Sequence, residues 1–362
     1  MSHRIYNFSA GPAILPEPVL EEAAQGVREI NGSGMSILEV SHRGKDYEAI
    51  HADAETRLLR VLGLNPEEYA ALFLQGGASL QFAMLPQNFL APGQTADYVV
   101  SGDWGEKALQ EAKFFGDARE AATSKGEGYA AIPHSFTRTP DARYVHITTN
   151  NTIEGTEYFG LPDTGDTPLV ADASSDYLAL ERDYSKFSLI YGGAQKNVGP
   201  AGVTLVVARK SFLQQANTGL PKILSYKTFL DNRSLYNTPP TFAVYVVDLV
   251  LKWIEAEGGL RVIEARNRSK AKILYDALDE TGGFYRPAVI AHSDRSLMNV
   301  TWRLRDESLE PELLAESKKN NMDGLKGHRS VGGFRASIYN AFPVPGVQAL
   351  ADLLRDFAKR KG

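Results

Sequence analysis

Short apolar runs bounded by small or polar residues alternate along most of this chain with stretches whose apolar residues recur every three or four positions. The first spacing is that of strands in a buried sheet, the second that of helices packed on it. After Pro16 and Pro18, Val19, Leu20, Ala23, Val27 and Ile30 share one helical face, and Tyr47, Ile50, Ala54, Leu58 and Val61 share another. Ala71–Leu74 predicts a strand running into Gln75-Gly76-Gly77-Ala78-Ser79, then a helix to about Phe89. Ala96–Val100 predicts a strand, followed by a helix over Trp104–Phe115. Further strands are predicted over Tyr144–Thr148, Leu169–Ala171, Leu189–Tyr191 and Val203–Ala208. From Phe242 two helical patterns follow one another across Gly258-Gly259. Beyond residue 263 the pattern thins to strands over Leu297–Arg303 and Phe334–Ile338 and helices over Leu309–Lys319 and Val347–Lys359. This order predicts an α/β domain with a largely parallel sheet, then a second, smaller α/β domain whose boundary falls inside a helix.

At 362 residues the chain is long for one core, so length also points to two domains. A hydrophobic content of 43% with 23% charged residues is that of an ordinary globular enzyme. The formal charge of −5 leaves no electrostatic footprint for nucleic acid. The N-terminus lacks an apolar signal region, and the longest apolar stretch, Phe242–Ile254, is too short to span a bilayer and is broken by Asp248 and Lys252. A cytoplasmic protein without membrane contact is expected. The absence of cysteine excludes disulfides, thiolate catalysis and cysteine-ligated metals. His3, His42, His51, His134, His146, His292 and His328 include no closely spaced ligand pair, so no metal site is expected.

The candidate chemistry centres on Lys196, in Tyr191-Gly192-Gly193-Ala194-Gln195-Lys196-Asn197-Val198-Gly199-Pro200. Small residues around a single lysine leave room for a bulky group, and a poorly hydrated ammonium loses its proton more easily. That suits covalent attachment of an aldehyde cofactor, of which pyridoxal phosphate is the usual one. Gly76-Gly77-Ala78-Ser79-Leu80-Gln81, between strand and helix, offers free amides to a phosphate, though alone it reads equally as an ordinary turn. Asp172 ends a strand, where ligands bind in open α/β sheets; it suits a pyridine nitrogen or, equally, a helix cap. Trp104 offers a flat ring for stacking or for the core, and Thr152 a hydroxyl for a ligand or a turn. Ser41-His42-Arg43-Gly44 and Gly327-His328-Arg329-Ser330, with Arg335 close behind, suit bidentate capture of carboxylate or phosphate, or solvated surface positions.

With these residues in view the chain resembles the phosphoserine aminotransferases, fold-type I pyridoxal phosphate enzymes of the class V aminotransferase group. The resemblance runs nearly end to end. It is carried by Asn7-Phe8-Ser9-Ala10-Gly11-Pro12-Ala13, Glu39-Val40-Ser41-His42-Arg43, the Gly76–Phe82 loop, Ala171-Asp172-Ala173-Ser174-Ser175, Tyr191–Gly202, Tyr236-Asn237-Thr238-Pro239-Pro240-Thr241 and Gly327–Ser337. Gly-Ala-Gln-Lys-Asn and Gly-His-Arg-Ser-Val-Gly-Gly are its most specific segments. The resemblance implies an N-terminal segment over 1–15 packing with the small domain, a large cofactor domain over 16–262 with a mostly parallel seven-stranded sheet, and a small domain over 263–362. It further implies that Lys196 carries pyridoxal phosphate and moves a proton between substrate Cα and cofactor C4′. Asp172 would pair with the ring nitrogen, Trp104 would stack on the ring, and Thr152 would lie near the ring hydroxyl. Ala78, Ser79 and Gln195 would hold the phosphate, with Asn237 and Thr238 reaching it from the neighbouring subunit of a homodimer. Ser9, His42, Arg43, His328, Arg329 and Arg335 would bind substrate, Arg335 taking the α-carboxylate. The implied reaction is amino transfer between L-glutamate and 3-phosphohydroxypyruvate, giving 2-oxoglutarate and O-phospho-L-serine, with a related phosphorylated substrate of pyridoxine synthesis as a second role.

Some family members carry a basic residue where this chain has Ser79 and a glycine where it has Leu80, which shifts phosphate neutralisation toward the helix N-terminus and the partner subunit. Rival readings fare worse. A cysteine desulfurase needs a thiol, a dinucleotide dehydrogenase needs a G-x-G-x-x-G turn after its first strand, and a non-catalytic cofactor carrier needs neither Lys196 nor three arginines.

Overall fold

A computed structural model describes residues 4–362; His3 and the two residues before it lie outside the described residues. In chain order the elements are β1 (Tyr6–Asn7), α1 (Glu17–Arg28), α2 (Lys45–Val61), β2 (Tyr69–Leu74), α3 (Gly77–Phe89), β3 (Thr95–Val100), α4 (Asp103–Ala112) and β4 (Asp117–Thr123). They continue with β5 (Val145–Thr148), β6 (Leu169–Asp172), β7 (Phe187–Gly193), β8 (Thr204–Arg209), α5 (Lys210–Leu213), α6 (Tyr226–Asp231) and α7 (Thr241–Ala256). The rest are α8 (Leu260–Asp279), β9 (Tyr285–Pro287), β10 (Asn299–Leu304), α9 (Glu310–Lys319), β11 (Met322–Asp323), β12 (Phe334–Ser337) and α10 (Val344–Lys361).

Among the described residues the main sheet has seven strands in the order β2-β8-β7-β6-β5-β3-β4. Only β8 runs against its neighbours, so the sheet is mostly parallel, as expected. Alternation along the strands explains how it is buried on both faces. Ala71 and Phe73 of β2 and Leu205 and Val207 of β8 enter one core with α1, α2 and α7. Ala70, Leu72, Leu74, Val206 and Ala208 enter the opposite core with α3 and α4. A third core joins Phe8 to residues of β9, β10, β12 and α10 around a three-stranded antiparallel sheet, β12-β10-β9. Helix α8 runs between cores: Leu260 and Ile263 pack in the first, Ala271, Leu274 and Leu278 in the third. The N-terminal segment joins the C-terminal part through β1, which pairs in parallel with β11.

Two features depart from the sequence pattern. Leu20 and Val27, placed on the buried face of the first helix, are each 38% exposed; Val19, Ala23 and Gly26 are the residues that α1 buries, and Tyr245 of α7 leaves no room for a Cβ at Gly26. The edge strand β4 (Asp-Ala-Arg-Glu-Ala-Ala-Thr) has one buried residue and shows no apolar alternation, so the pattern missed it; only its pairing with β3 makes it a strand.

Candidate active site

The parallel strands deliver their C-terminal ends to one edge of the sheet, the place where open α/β sheets bind ligands. Six of the candidate positions arrive there: Ala78 and Ser79 after β2, Trp104 after β3, Thr152 after β5, Asp172 as the last residue of β6 and Lys196 after β7. The local backbone explains why small residues surround them. Gly76 precedes α3 with φ +89°, and a Cβ there would lie 2.6 Å from Leu80. No side chain caps α3 among the described residues, which leaves its first amides unsatisfied inside the helix. At Gly192 a Cβ would meet the Ser174 backbone at 3.1 Å, so β7 can lie close against the turn after Asp172.

Lys196 keeps some exposed surface, but protein encloses its ammonium, and burial pulls its pKa down to about 8. The field of Arg335 acts in the same direction, while Asp172 opposes both. Its Nζ donates to Thr152 Oγ1 at 2.7 Å and lies 5.6 Å from the Trp104 ring centroid. Asp172 is buried, and burial raises its pKa against the pull of Lys196 and of two bonds from Ser174. Those bonds, from the Ser174 amide at 2.9 Å and hydroxyl at 2.6 Å, both reach Oδ1. Asp172 therefore closes a tight turn rather than capping a helix. The Trp104 ring lies near Phe82 and takes the Lys107 ammonium 4.2 Å from its centroid; its buried Nε1 has no hydrogen-bond partner among the described residues.

The N-terminal segment and the C-terminal sheet complete the cleft. Gly11 lies against the Lys196 and Gln195 side chains, Ala13 donates to the Gln195 carbonyl at 2.9 Å, and Ser9 lies beside Gly324. Arg335, opposite Thr301 in the β10–β12 pairing, donates to the Thr152 carbonyl at 3.2 Å, and burial lowers its pKa. His328 bonds Ser330 Oγ at 2.7 Å, Ser330 in turn reaches Asp103 at 3.2 Å, and Arg329 is exposed. Burial and then Arg335 lower the His328 pKa.

Other candidates lie apart. Arg43 donates to His42 at 3.3 Å in the turn before α2, and none of the hydrogen bonds among the described residues joins this pair to the Lys196 cluster. Asn237 lines a groove with Gln75, Gly76 and Leu80, and Gln75 donates to the Thr238 carbonyl at 3.4 Å. Two residues at the cleft escaped sequence reasoning. Ser174 carries no signal beyond its place in the Ala171–Ser175 motif, and Glu154 stands in the same loop as Thr152 without a signal of its own. Glu154 Oε1 accepts the Asp103 amide at 2.8 Å, and burial raises its pKa to about 7.

These residues fit pyridoxal phosphate. A primary amine of lowered pKa faces its aldehyde chemistry, a buried carboxyl suits a ring nitrogen, a flat indole suits the ring face, and unsatisfied helix amides suit the phosphate. Among the described residues no helix is long and apolar enough to cross a membrane.

A family model described as aminotransferase class-V matches residues 5–350. A phosphoserine aminotransferase of Lysinibacillus sphaericus is 52% identical to this chain over 362 residues, covering 99% of each. The solved phosphoserine aminotransferase from Bacillus circulans subsp. alkalophilus superposes with a TM-score of 0.97 at 50% identity, covering 100% of both chains. The phosphoserine aminotransferase of Trichomonas vaginalis, solved with PLP bound, gives 0.91 at 36% identity over 97% of this chain and 100% of that one. With the family model, the full-length relatives and the fold all matching this group, the chain belongs to the class-V aminotransferases, and within them to the phosphoserine aminotransferases.

Proposed function

We propose that this protein transfers an amino group between L-glutamate and 3-phosphohydroxypyruvate, as a cytoplasmic homodimer, with pyridoxal phosphate as cofactor. The observation that carries the reading is Lys196 itself: an enclosed ammonium of lowered pKa between Thr152, Trp104 and the Asp172 carboxylate. Pyridoxal phosphate, when bound, supplies the electron sink that lets charge leave the substrate Cα. The protein does the rest. Asp172 would present its carboxyl to the ring nitrogen, Trp104 and Thr152 would orient the ring, and Ala78, Ser79 and Gln195 would hold the phosphate. Lys196 would hold the cofactor covalently, and its amine, with a pKa pulled down to about 8, would be the group that takes up and gives back the proton at the substrate Cα.

Arg335 takes the α-carboxylate common to both substrates, with Ser9 beside it. His328 and Arg329 bind the distal phosphate or carboxylate together with His42 and Arg43. Because the His42–Arg43 pair is bonded to itself and not to its own Lys196 cluster, we assign it, with Asn237 and Thr238, to the partner's site. The exposed Leu20 and Val27 leave apolar surface on α1, which is compatible with a partner. The phosphorylated substrate of pyridoxine synthesis belongs to the same proposal, since it offers the same two anionic ends. So does the division into an N-terminal segment over 1–15, a large domain over 16–262 and a small domain over 263–362, supported by Phe8 packing in the third core.

The direct test is Lys196→Ala. Turnover should fall by at least about a thousandfold while the protein keeps its fold and binds cofactor non-covalently. Native-like turnover in that variant would refute the assignment.

A further inference from the structure

Glu154 is a buried carboxyl with two different ends. Oε1 holds the amide of Asp103, the first residue of α4, at 2.8 Å, and so fixes the start of the helix that carries Trp104. Oε2 is buried with no hydrogen-bond partner among the described residues. The fit is close: a Cβ on Gly102 would lie 2.8 Å from Oε2. The Glu154 backbone is fixed too, because its carbonyl accepts from Thr301 Oγ1 at 2.7 Å, and Thr301 stands opposite Arg335 across β10 and β12. Glu154 and Arg335 line one cleft of about 290 Å³, and the Arg335 Nε, like Glu154 Oε2, is buried and unpartnered among the described residues.

We propose that Glu154 is a positioning residue for Trp104 whose carboxyl takes up a proton when a substrate carboxylate engages Arg335. The inference rests on the reading of Arg335 as the carboxylate anchor. Its logic is electrostatic. The Glu154 charge is opposed by burial and by the Asp103 carboxylate of α4; it is favoured first by the Asp103 amide that Oε1 accepts and then by the field of Arg335 of β12, and the balance lies at about 7. Lys196, after β7, senses the same carboxylate. Arg303 of β10 lines the cleft but is held by Glu307, and His328 faces Arg335 and Asp103. A carboxylate on Arg335 offsets the share of the favourable field that Arg335 contributes to ionised Glu154. The Glu154 pKa then rises, and near neutral pH the group gains a proton. Donor affinity should therefore weaken as pH rises through neutrality.

The test is calorimetric titration of the holoenzyme with maleate, a dicarboxylate with no amino or keto group to react, in two buffers of different ionisation enthalpy near neutral pH. Glu154→Gln keeps an oxygen for the Asp103 amide but cannot ionise. The native protein should take up more protons than Glu154→Gln by at least about 0.3 per site. Equal uptake in the two would overturn the inference. If the variant does not fold, the native protein still decides: a maleate affinity that does not change with pH across neutrality overturns it. Arg335→Leu separates the two readings. A loss of maleate affinity of about tenfold or more upholds Arg335 as the anchor, so that equal proton uptake then sinks the Glu154 inference alone. Unchanged affinity overturns both.

Discussion

Lys196 shows how opposing effects set the reactivity of a single residue. Burial and Arg335 favour the neutral amine, Asp172 favours the ammonium, and the balance lies at about 8, within reach of physiological pH. Removing the opposing charge should tip it further. In Asp172→Asn apoenzyme the Lys196 pKa should fall below the native value, so labelling of Lys196 by an amine-specific reagent should reach half-maximal rate at lower pH. An unchanged midpoint would mean that the Asp172 charge does not act on Lys196. Residues of this kind were legible in the sequence because their types are rare where they stand: one lysine among small residues, and one aspartate at the end of an apolar run. Glu154 and Ser174 were not, since a glutamate or serine in a loop is ordinary. What distinguishes Glu154 is the Asp103 amide about fifty positions away in sequence, a contact that only folding creates.

At the scale of elements, the strands that end at the cleft were legible because both sides of the sheet are covered, which makes their runs continuously apolar. The strands β4, β9, β1 and β11 were not: each is short or polar and owes its existence to a neighbour. Interiors also hold polar contacts that periodicity hides. Lys270, inside α8, is buried and donates to the Ile338 and Tyr339 carbonyls at 2.9 and 2.5 Å, tying α8 to the chain beyond β12. Burial brings its pKa down to about 7. Since the unfolded lysine keeps its ordinary higher value, the native state binds fewer protons between the two. This contribution to stability therefore grows as pH rises above about 7 and is lost as pH falls through it. Lys270→Met should be less stable than the native protein at pH 8, with the deficit smaller by about 1 kcal/mol at pH 6. Denaturant midpoints at the two pH values measure it, and a deficit that does not change with pH would show that Lys270 is not titrating.

For the whole molecule the central question is whether one chain makes a complete site. The Lys196 cluster is assembled within the chain, whereas His42 and Arg43 hold each other in an exposed turn. If sites are shared, Lys196→Ala and Arg43→Ala damage the same site from different subunits. Mixing the two variants under conditions that exchange subunits should then restore activity to about a quarter of native, because about half of the dimers are mixed and each carries one intact site. No recovery would return Arg43 to its own chain's site or to the surface. Sequence could not reach this point from residue spacing, because a partner's residues leave no periodic trace in the chain that uses them; the family resemblance alone suggested it.

The decisive measurement is the visible absorbance of the purified protein with pyridoxal phosphate, followed through addition of L-glutamate and then of 3-phosphohydroxypyruvate. A visible cofactor band should be lost with glutamate and return with the phosphorylated keto acid, showing both half-reactions in one sample. A band that ignores glutamate would contradict the proposed donor, and no band at all would contradict the role of Lys196.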